Sequence, residues 1–147
     1  TGDGEWQEGQ MWEAAMLAGK EELHNLVVII DRNGIQIDGY TKDVMPLEPL
    51  REKLEAFNFD VQEVDAHNIR AVNDAIGKAQ AVYGQPSLII AHTIPAKGID
   101  LFERDYRCHG NPPGKGPEDR VSKDEQATVA LERLRSLAGN IEAPDHT

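Results

Sequence analysis

Cysteine is nearly missing from this chain of 147 residues, in which Cys108 stands alone. A single cysteine cannot form a disulfide within the chain, so we expect a protein of a reducing compartment and a cytoplasmic location. Long apolar runs are missing as well, because no stretch approaches the roughly 20 residues that a membrane-spanning helix needs. The sequence therefore predicts no role within a membrane.

Positive charge is scarce too. The chain has 15 lysines and arginines against 26 aspartates and glutamates, which gives a net charge of −11 with neutral histidines. A surface of this sign repels the phosphates of nucleic acids and the headgroups of anionic lipids. We therefore expect neither nucleic acid nor a membrane surface among the partners.

The length and the apolar content suit one compact domain. With 147 residues, of which 39% are hydrophobic, the chain can bury a core but is too short for two full domains. Its opening, TGDGEWQEGQ, has neither the charged start nor the apolar stretch of a signal peptide. Because the first residue is Thr1, we expect that a segment upstream of it was removed or lies on another chain.

Hydrophobic periodicity predicts helices that alternate with strands. The predicted helices cover Gly9–Gly19, Leu47–Phe57, Ile69–Ala79 and a last segment from Ala127 to Leu137 that is closed by Gly139 and followed by a polar tail to Thr147. The predicted strands cover Leu26–Ile30, Phe59–Val64 and Ser87–Ala91. The first and the last of these strands are continuous apolar runs, which is typical of strands buried on both faces. On the third helix, Ile69, Val72, Ile76 and Ala79 are predicted to share the packed face.

This alternation predicts an α/β fold with a mostly parallel sheet flanked by helices. The stretch GNPPGKGP, from Gly110 to Pro117, has three glycines and three prolines and predicts a loop or linker. We therefore assign residues 1–112 to the α/β domain and residues 113–147 to a linker and a C-terminal helix. Only three strands are evident and the chain starts with a turn, so we expect a sheet that is incomplete at its N-terminal side.

Two polar elements predict a ligand site. Gly2-Asp3-Gly4 places a carboxylate between residues that allow close approach of the backbone, and Asn33 follows the first strand. Because ligands bind at the carboxyl ends of parallel strands, Asp3 and Asn33 are expected to face one crevice. A hard cation such as magnesium takes carboxylate, amide and diphosphate oxygens. Taken by itself, however, Gly-Asp-Gly also fits an ordinary turn, as does Asn33-Gly34.

Four strings resemble the diphosphate-binding domain of transketolase, a thiamine-diphosphate enzyme. They are GDGEWQEGQMWEAAMLAG, NLVVIIDRNGIQIDG, DVMPLEPLREKLEAFNF and CHGNPP, in this order, and the resemblance runs from Gly2 to about Pro113. It implies the thiamine-diphosphate-binding fold. It also implies transfer of a two-carbon ketol unit from a ketose phosphate to an aldose phosphate. The expected cofactors are thiamine diphosphate and Mg²⁺, with Ca²⁺ or Mn²⁺ as substitutes.

The resemblance also implies roles for individual residues. The magnesium ligands would be Asp3, Asn33 and the main-chain carbonyl of Ile35; the cofactor would also touch Gly2, Gly4, Ile37 and His109; and Glu8 and Glu13 would serve the dimer interface and communication between active sites. His109 matches the histidine that lies between the cofactor diphosphate and the substrate. Without the resemblance, Glu8 and Glu13 fit solvated acids near a helix start, and His109 fits a surface loop residue.

Other parts of the enzyme are expected on partners. In the family, a pyrimidine-binding domain carries the glutamate that faces the cofactor, and the upstream half of the diphosphate domain lines the site. We therefore expect a split or cleaved enzyme, assembled from an upstream segment and a pyrimidine-binding subunit into a dimer. The sequence departs from the family ahead of Gly98, where Pro95 stands in place of the usual lysine or isoleucine, with Lys97 nearby.

Two alternatives stay open at this stage. Another thiamine-diphosphate enzyme, such as a deoxyxylulose-phosphate synthase or a 2-oxo-acid decarboxylating component, would keep the cofactor and change the reaction. The strings DRNGIQIDG and LEPLREKLEAF favour transketolase over both. A non-catalytic assembly subunit would use the α/β core only to dock a partner, and it predicts no magnesium-dependent cofactor binding.

Overall fold

The computed structural model describes residues 1–138. The predicted end of the last helix at Gly139 and the tail to Thr147 lie outside the described residues. The chain divides into two compact units, Thr1–Thr93 and Ile94–Thr147. Within the part of the chain that the structure describes, no helix has the length and apolar character needed to cross a membrane.

The first unit is an α/β domain built around a parallel sheet. Its helices are α1 (Gly9–Lys20), α2 (Thr41–Val44), α3 (Leu50–Ala56) and α4 (Ile69–Ala79). Its strands are β1 (Val27–Arg32), β2 (Ile35–Gln36), β3 (Gly39–Tyr40), β4 (Asp60–Asp65) and β5 (Ser87–His92). The main sheet has the order β1-β5-β4 with all pairs parallel, and β2 and β3 form a separate antiparallel hairpin. The prediction of an α/β fold with a parallel sheet flanked by helices is confirmed.

Helices cover both faces of this sheet. On one face, α1 and α3 bury a cluster against the strands, which includes Ala15, Leu54, Ile30, Val61 and Leu88. On the other face, α4 packs Ala75 and Ala79 against Ile89. The two clusters explain why the central strand β5 is buried along its whole apolar run, as predicted for Ser87–Ala91.

The prediction that the first strand is buried on both faces is wrong. In β1 only Ile30 is fully buried, and Ile29 keeps 38% of its surface exposed. The reason lies in the sheet order, since β1 is an edge strand of the three-stranded sheet and β5 is its central strand. Helix α4 contacts β4 and β5, so the face of β1 that carries Ile29 receives little cover from the described residues.

Two further helix predictions need correction. Ile69, the first residue of α4, is 83% exposed, whereas Ile76 and Ala79 lie on the packed face as predicted, together with Ala75. The second predicted helix begins at Leu50 and not at Leu47, because Pro49 has an extended conformation that a helix cannot include. Leu47 is nevertheless buried in the core.

An asparagine caps α4, and its loss should destabilise the first unit. The side chain of Asn68 accepts a hydrogen bond at 3.1 Å from the backbone N–H of Ala71, one of the donors that a helix start leaves unpaired. We expect Asn68→Ala to lower the free energy of unfolding by about 1 kcal/mol in a urea titration. Asn73→Ala, at an exposed position inside the same helix, is the matched control and should be neutral or slightly stabilising. Equal effects of the two variants would contradict the capping role.

The second unit has little regular structure before its last helix, α5 (Lys123–Ala138). The segment from Gly110 to Pro117 forms no helix or strand, as predicted. The buried side chain of Gln126 on α5 holds this loop: its Nε2 donates to the carbonyl of Pro117 at 2.8 Å and its Oε1 accepts from the N–H of Gly114 at 3.0 Å.

Candidate metal and cofactor site

The chain start lies beside the carboxyl end of β1. The N–H of Asp31 donates to the carbonyl of Thr1 at 2.8 Å, and the N–H of Asp3 donates to the carbonyl of Asp31 at 3.1 Å. Gly2 and Asp31 thereby form a parallel bridge. A short 3-10 helix, Gly4–Gln7, follows and leads into α1. These contacts bring the Gly-Asp-Gly turn to the end of the strand that leads to Asn33.

Asp3 is fully buried, and its two carboxylate oxygens have different surroundings. Oδ2 accepts hydrogen bonds from Arg32 Nη1 at 2.5 Å and from the N–H of Gly34 at 2.9 Å, and it lies 3.4 Å from Thr41 Oγ1. Among the side chains that the structure describes, Oδ1 of Asp3 is the buried oxygen that has no hydrogen-bond partner. A buried carboxylate oxygen without a partner is costly unless a cation binds it, so this atom fits a metal ligand.

Asn33 and Ile35 lie next to this carboxylate, because the hydrogen bond to Asp3 comes from the intervening residue, Gly34. Asn33 closes a tight turn in which its Oδ1 accepts from the N–H of Ile35 at 2.9 Å and its Nδ2 donates to Asp31 Oδ2 at 3.1 Å. Gly34 has a φ of +77°, which glycine adopts without strain. The amide oxygen keeps a second lone pair for a cation.

These donors fit a hard cation bound together with a diphosphate. The expected ligands comprise one carboxylate, one amide and one main-chain carbonyl, a set that would satisfy part of an octahedral magnesium shell and leave the remaining positions to other oxygens. No cluster of three or more histidine, cysteine or acidic side chains suited to a metal occurs among the described residues. The expected donors at Asp3 and Asn33 are oxygens, which suit a hard cation better than the softer metals that favour imidazole and thiolate.

Gly4 has a structural reason of its own to be glycine. A Cβ at this position would lie 2.7 Å from the Cβ of Gln36 in β2, closer than two such atoms can approach. Ile37, in the turn of the same hairpin, is 82% exposed and available to a ligand or partner. The backbone N–H of Gly2 donates to the Glu5 carboxylate. The cofactor contacts expected of Gly2, Gly4 and Ile37 stay predictions.

Glu8 and Glu13 both lie at exposed positions. Glu8 precedes α1 as its N-cap residue, and its side chain makes no capping hydrogen bond. Glu13 lies one turn further on, beside the exposed Met16 and Leu17 of the same helix. This exposed surface of α1 is compatible with an interface, and the roles expected of Glu8 and Glu13 stay predictions.

His109 belongs to the second unit. It follows a short 3-10 helix, Tyr106–Cys108, and its backbone N–H donates to the carbonyl of Tyr106 at 2.9 Å, while its side chain is exposed. Asp105 orders this helix by accepting from the backbone N–H, Nε and Nη2 of Arg107. Arg107 thereby lowers the pKa of the Asp105 carboxyl, while burial raises the pKa of the Cys108 thiol above its ordinary value. No reactive thiolate is indicated at Cys108.

Sequence reasoning missed Arg32, because the first strand was predicted to end at Ile30. The strand continues through Arg32, and its guanidinium contacts Asp3 and, through Nη2, Glu48 Oε1 at 2.7 Å. Burial by itself lowers the pKa of Arg32, but the hydrogen bonds with Glu48 and Asp3 raise it above its ordinary value. The hydrogen bond from the N–H of Leu50 lowers the pKa of the Glu48 carboxyl, and the hydrogen bond from Arg32 lowers it further. The sequence did contain a signal for this role. Side chains of a strand alternate between its two faces, so a strand that continues to Arg32 puts this residue on the same face as the buried Ile30.

Two cavities lie near these elements. An apolar groove of about 450 Å³ is lined by Trp6, Gln7, Trp12, Met45, Pro46, Leu47, Lys53, Ala56 and Phe57, and none of the expected ligands lines it. A polar crevice of about 280 Å³ lies at the carboxyl ends of β1, β4 and β5, and Arg32, Glu48, Arg51, Glu63 and His92 contribute charged or polar walls. Arg32 therefore connects this crevice to Asp3.

Comparisons with known proteins agree with the geometry. The family model described as "Transketolase, thiamine diphosphate binding domain" matches residues 1–127. A 6-deoxy-6-sulfo-D-fructose transketolase subunit of a Clostridium strain is 45% identical over 108 residues, which cover 74% of this chain and 39% of the relative. One of the apulose-4-phosphate transketolase subunits, from Actinobacillus succinogenes, is 38% identical over 135 residues, which cover 92% of this chain and 45% of the relative.

A solved structure supports the same assignment. The crystal structure of transketolase from Campylobacter jejuni superposes with a TM-score of 0.69 at 26% identity, and the match covers 98% of this chain and 28% of that one. The chain thus spans less than half the length of these relatives. The match over residues 1–127 shows that this chain belongs to the transketolase family and carries its thiamine-diphosphate-binding domain.

Proposed function

We propose that this chain supplies the magnesium and diphosphate site of an enzyme that transfers a two-carbon ketol unit from a ketose phosphate to an aldose phosphate. The observation that supports this most directly is the buried Asp3 Oδ1, which has no hydrogen-bond partner and lies beside the Asn33–Ile35 turn. A metal bound to this oxygen would remove the cost of burying it unpaired. Family membership supports the reaction class, and the donor set supports the metal.

The residues that would hold the metal are Asp3 through Oδ1, Asn33 through its amide oxygen and Ile35 through its main-chain carbonyl. Mg²⁺, or Ca²⁺ or Mn²⁺ in its place, would take these oxygens together with those of the diphosphate. Thiamine diphosphate supplies, when bound, the nucleophilic carbon needed to break a carbon–carbon bond beside a carbonyl. The turn residues Gly2 and Gly4 would let the backbone approach the diphosphate, and Ile37 would offer it an apolar neighbour.

For His109 we propose a place between the cofactor diphosphate and the substrate. An imidazole N–H donates well to a phosphate or a sugar hydroxyl, and the exposed side chain is free to meet such a group. The departure from the family at Pro95, with Lys97 nearby, bears on the same part of the site. We propose that this departure changes the contacts that the loop makes with the cofactor and the substrate.

For Glu8 and Glu13 we propose a place at the interface between two assembled copies. Both carboxylates lie on the exposed surface of α1, where Met16 and Leu17 are 50% and 57% exposed. Apolar side chains exposed together on one helix often mark a contact with another subunit. Carboxylates at such a contact can link the two active sites of the dimer.

The assembled enzyme would include further parts. Relatives of this chain are named as transketolase subunits, which supports partner subunits here. We propose an upstream segment of the diphosphate domain and a pyrimidine-binding subunit, with residues 1–112 as the downstream part of the diphosphate domain and 113–147 as a linker and C-terminal helix. The setting would be the cytoplasm, with sugar phosphates as substrates.

The test is an activity assay on the chain purified together with every subunit that accompanies it. The assay contains thiamine diphosphate, magnesium, a ketose phosphate donor and an aldose phosphate acceptor. The acceptor should become a ketose phosphate that is two carbons longer, and the donor should become an aldose phosphate that is two carbons shorter. We expect the reaction to stop when EDTA removes the metal and to resume when magnesium is added back. Products are identified by mass spectrometry with a donor labelled with ¹³C in its two transferred carbons.

Other outcomes separate the alternatives. Release of CO₂ from a 2-oxo acid, with no transfer between sugar phosphates, would assign the chain to a decarboxylating enzyme of the same cofactor class. Absence of magnesium-dependent thiamine diphosphate binding in a folded, complete assembly would assign it to the non-catalytic subunits.

A further inference from the structure

Arg32 connects three separate segments of the first unit. Its Nη1 donates to Asp3 Oδ2 at 2.5 Å and to Thr41 Oγ1 at 3.0 Å, and its Nη2 donates to Glu48 Oε1 at 2.7 Å. Only 15% of its side-chain surface is exposed. The guanidinium therefore joins the Gly-Asp-Gly turn to the start of α2 and to the loop before α3.

The donors around Asp3 all approach one oxygen. Arg32, the N–H of Gly34 and the hydroxyl of Thr41 surround Oδ2, whereas Oδ1 has no partner. A carboxylate held through one oxygen cannot rotate freely about its Cβ–Cγ bond, so the direction of the other oxygen is set by these contacts. The planar, forked guanidinium contributes one of these contacts through Nη1, and its own orientation is fixed by the bond from Nη2 to Glu48.

We propose that Arg32 is a positioning residue of the metal site, which orients the Asp3 carboxylate so that Oδ1 meets the cation. The inference rests on the proposed function, since it assumes that Asp3 is a metal ligand. Contacts of this kind, which hold a ligand without touching the metal, commonly change metal affinity when they are removed.

Charge alone predicts the opposite effect of removing Arg32. A guanidinium within hydrogen-bond distance of a ligand carboxylate repels a divalent cation, so its loss would strengthen metal binding if orientation did not matter. Glu48 moderates that repulsion, because the ion-paired set of Asp3, Arg32 and Glu48 carries a net charge of −1. A weaker metal affinity in the absence of Arg32 therefore reports orientation and not charge.

The experiment measures Mn²⁺ affinity by electron paramagnetic resonance of the free ion. The chain, purified with its accompanying subunits and mixed with an excess of thiamine diphosphate, is titrated with Mn²⁺, and binding by the cofactor alone is subtracted. We expect Arg32→Met to weaken Mn²⁺ binding by about 10- to 100-fold. Arg32→Lys keeps the positive charge but loses the forked guanidinium that contacts Asp3 and Glu48 at the same time. This variant should therefore weaken Mn²⁺ binding measurably, but by less than Arg32→Met.

Arg51→Met is the matched control. Arg51 lines the same polar crevice but pairs with Glu55 and Glu63 and makes no contact with Asp3 among its described ion pairs. Its removal should change Mn²⁺ affinity by less than about 2-fold. Thermal unfolding without metal identifies any variant that is not folded at the assay temperature, and in that case Arg32→Lys decides the matter.

The outcomes separate this inference from the proposed function. Unchanged or tighter Mn²⁺ binding in folded Arg32→Met and Arg32→Lys, together with lost binding in Asp3→Asn, would overturn the positioning role and leave the metal site in place. Unchanged binding in Asp3→Asn would overturn the metal site itself and the positioning role with it. Lost binding in Asp3→Asn with weakened binding in both Arg32 variants and not in Arg51→Met supports both.

Discussion

Replacement of Asp3 by asparagine should abolish the magnesium-dependent binding of thiamine diphosphate. Asp3 is the only carboxylate in the proposed donor set, and its Oδ1 is buried without a hydrogen-bond partner. Asparagine keeps the shape of the side chain but lacks the charge that a hard cation requires. In isothermal titration of the assembled protein, we expect the affinity for the cofactor in the presence of magnesium to fall by at least about 100-fold.

Asp38→Asn is the control for this substitution. Asp38 is an exposed residue of the β2–β3 turn, so the change removes the same charge from the same region without touching the proposed ligands. The control should bind as the unmodified protein does. Asp3→Asn also breaks the pair with the largely buried Arg32, at a cost of about 3 kcal/mol, so circular dichroism at the assay temperature must establish that it is folded. Folded Asp3→Asn protein with an unchanged magnesium dependence would contradict the assignment.

Replacement of Gly19 by alanine should strongly destabilise the first unit. A Cβ at this position would lie 1.8 Å from the carbonyl oxygen of Phe57 and 3.0 Å from its carbonyl carbon. Both are backbone atoms at the end of α3, so neither can move aside by a change of rotamer. The end of α1 would have to separate from α3, and the core between them would be disturbed. We expect the free energy of unfolding, measured by urea titration, to fall by about 3 kcal/mol.

Gly77→Ala tests the same change where there is space for it. Gly77 lies on the exposed side of α4, and no atom comes within 4 Å of a Cβ built there. Alanine is the better helix former, so this variant should be stabilised by about 0.5–1 kcal/mol. A loss of stability in Gly77→Ala as large as in Gly19→Ala would show that the close contact with Phe57 is not the cause.

The fold could be predicted because its signals are local. Continuous apolar runs between turn residues marked β1 and β5, and helical periodicity marked α1, α3 and α4, with bounds that differ from the observed ones by at most three residues. The β2–β3 hairpin was not predicted, since strands of two residues are too short to show an alternating pattern. The exposure of Ile29 and Ile69 depends on which strands α4 covers, and this cannot be predicted from the pattern of neighbouring residues.

The site shows the same division. Asp3 and Asn33 were expected at one end of the sheet, because parallel strands bring their carboxyl ends together, and the hydrogen bond from Gly34 to Asp3 now joins the two segments. The surroundings of each oxygen were beyond prediction. The Asp3 carboxylate is contacted by Arg32 and Thr41, and Arg32 in turn is contacted by Glu48. These residues lie on separate segments, which are brought together by the packing of the core.

The sequence by itself determined the class of this protein, through the alternation of helices and strands and the ordered motifs that identify the transketolase family. These properties depend on composition and on the spacing of neighbouring residues. The tertiary structure decided that β5 and not β1 is the central strand, that Gly19 meets a backbone carbonyl, and that one oxygen of Asp3 is enclosed by donors while the other is left without a partner. The physical reason is that burial and hydrogen bonding depend on segments far apart in the chain, which meet only when the core forms.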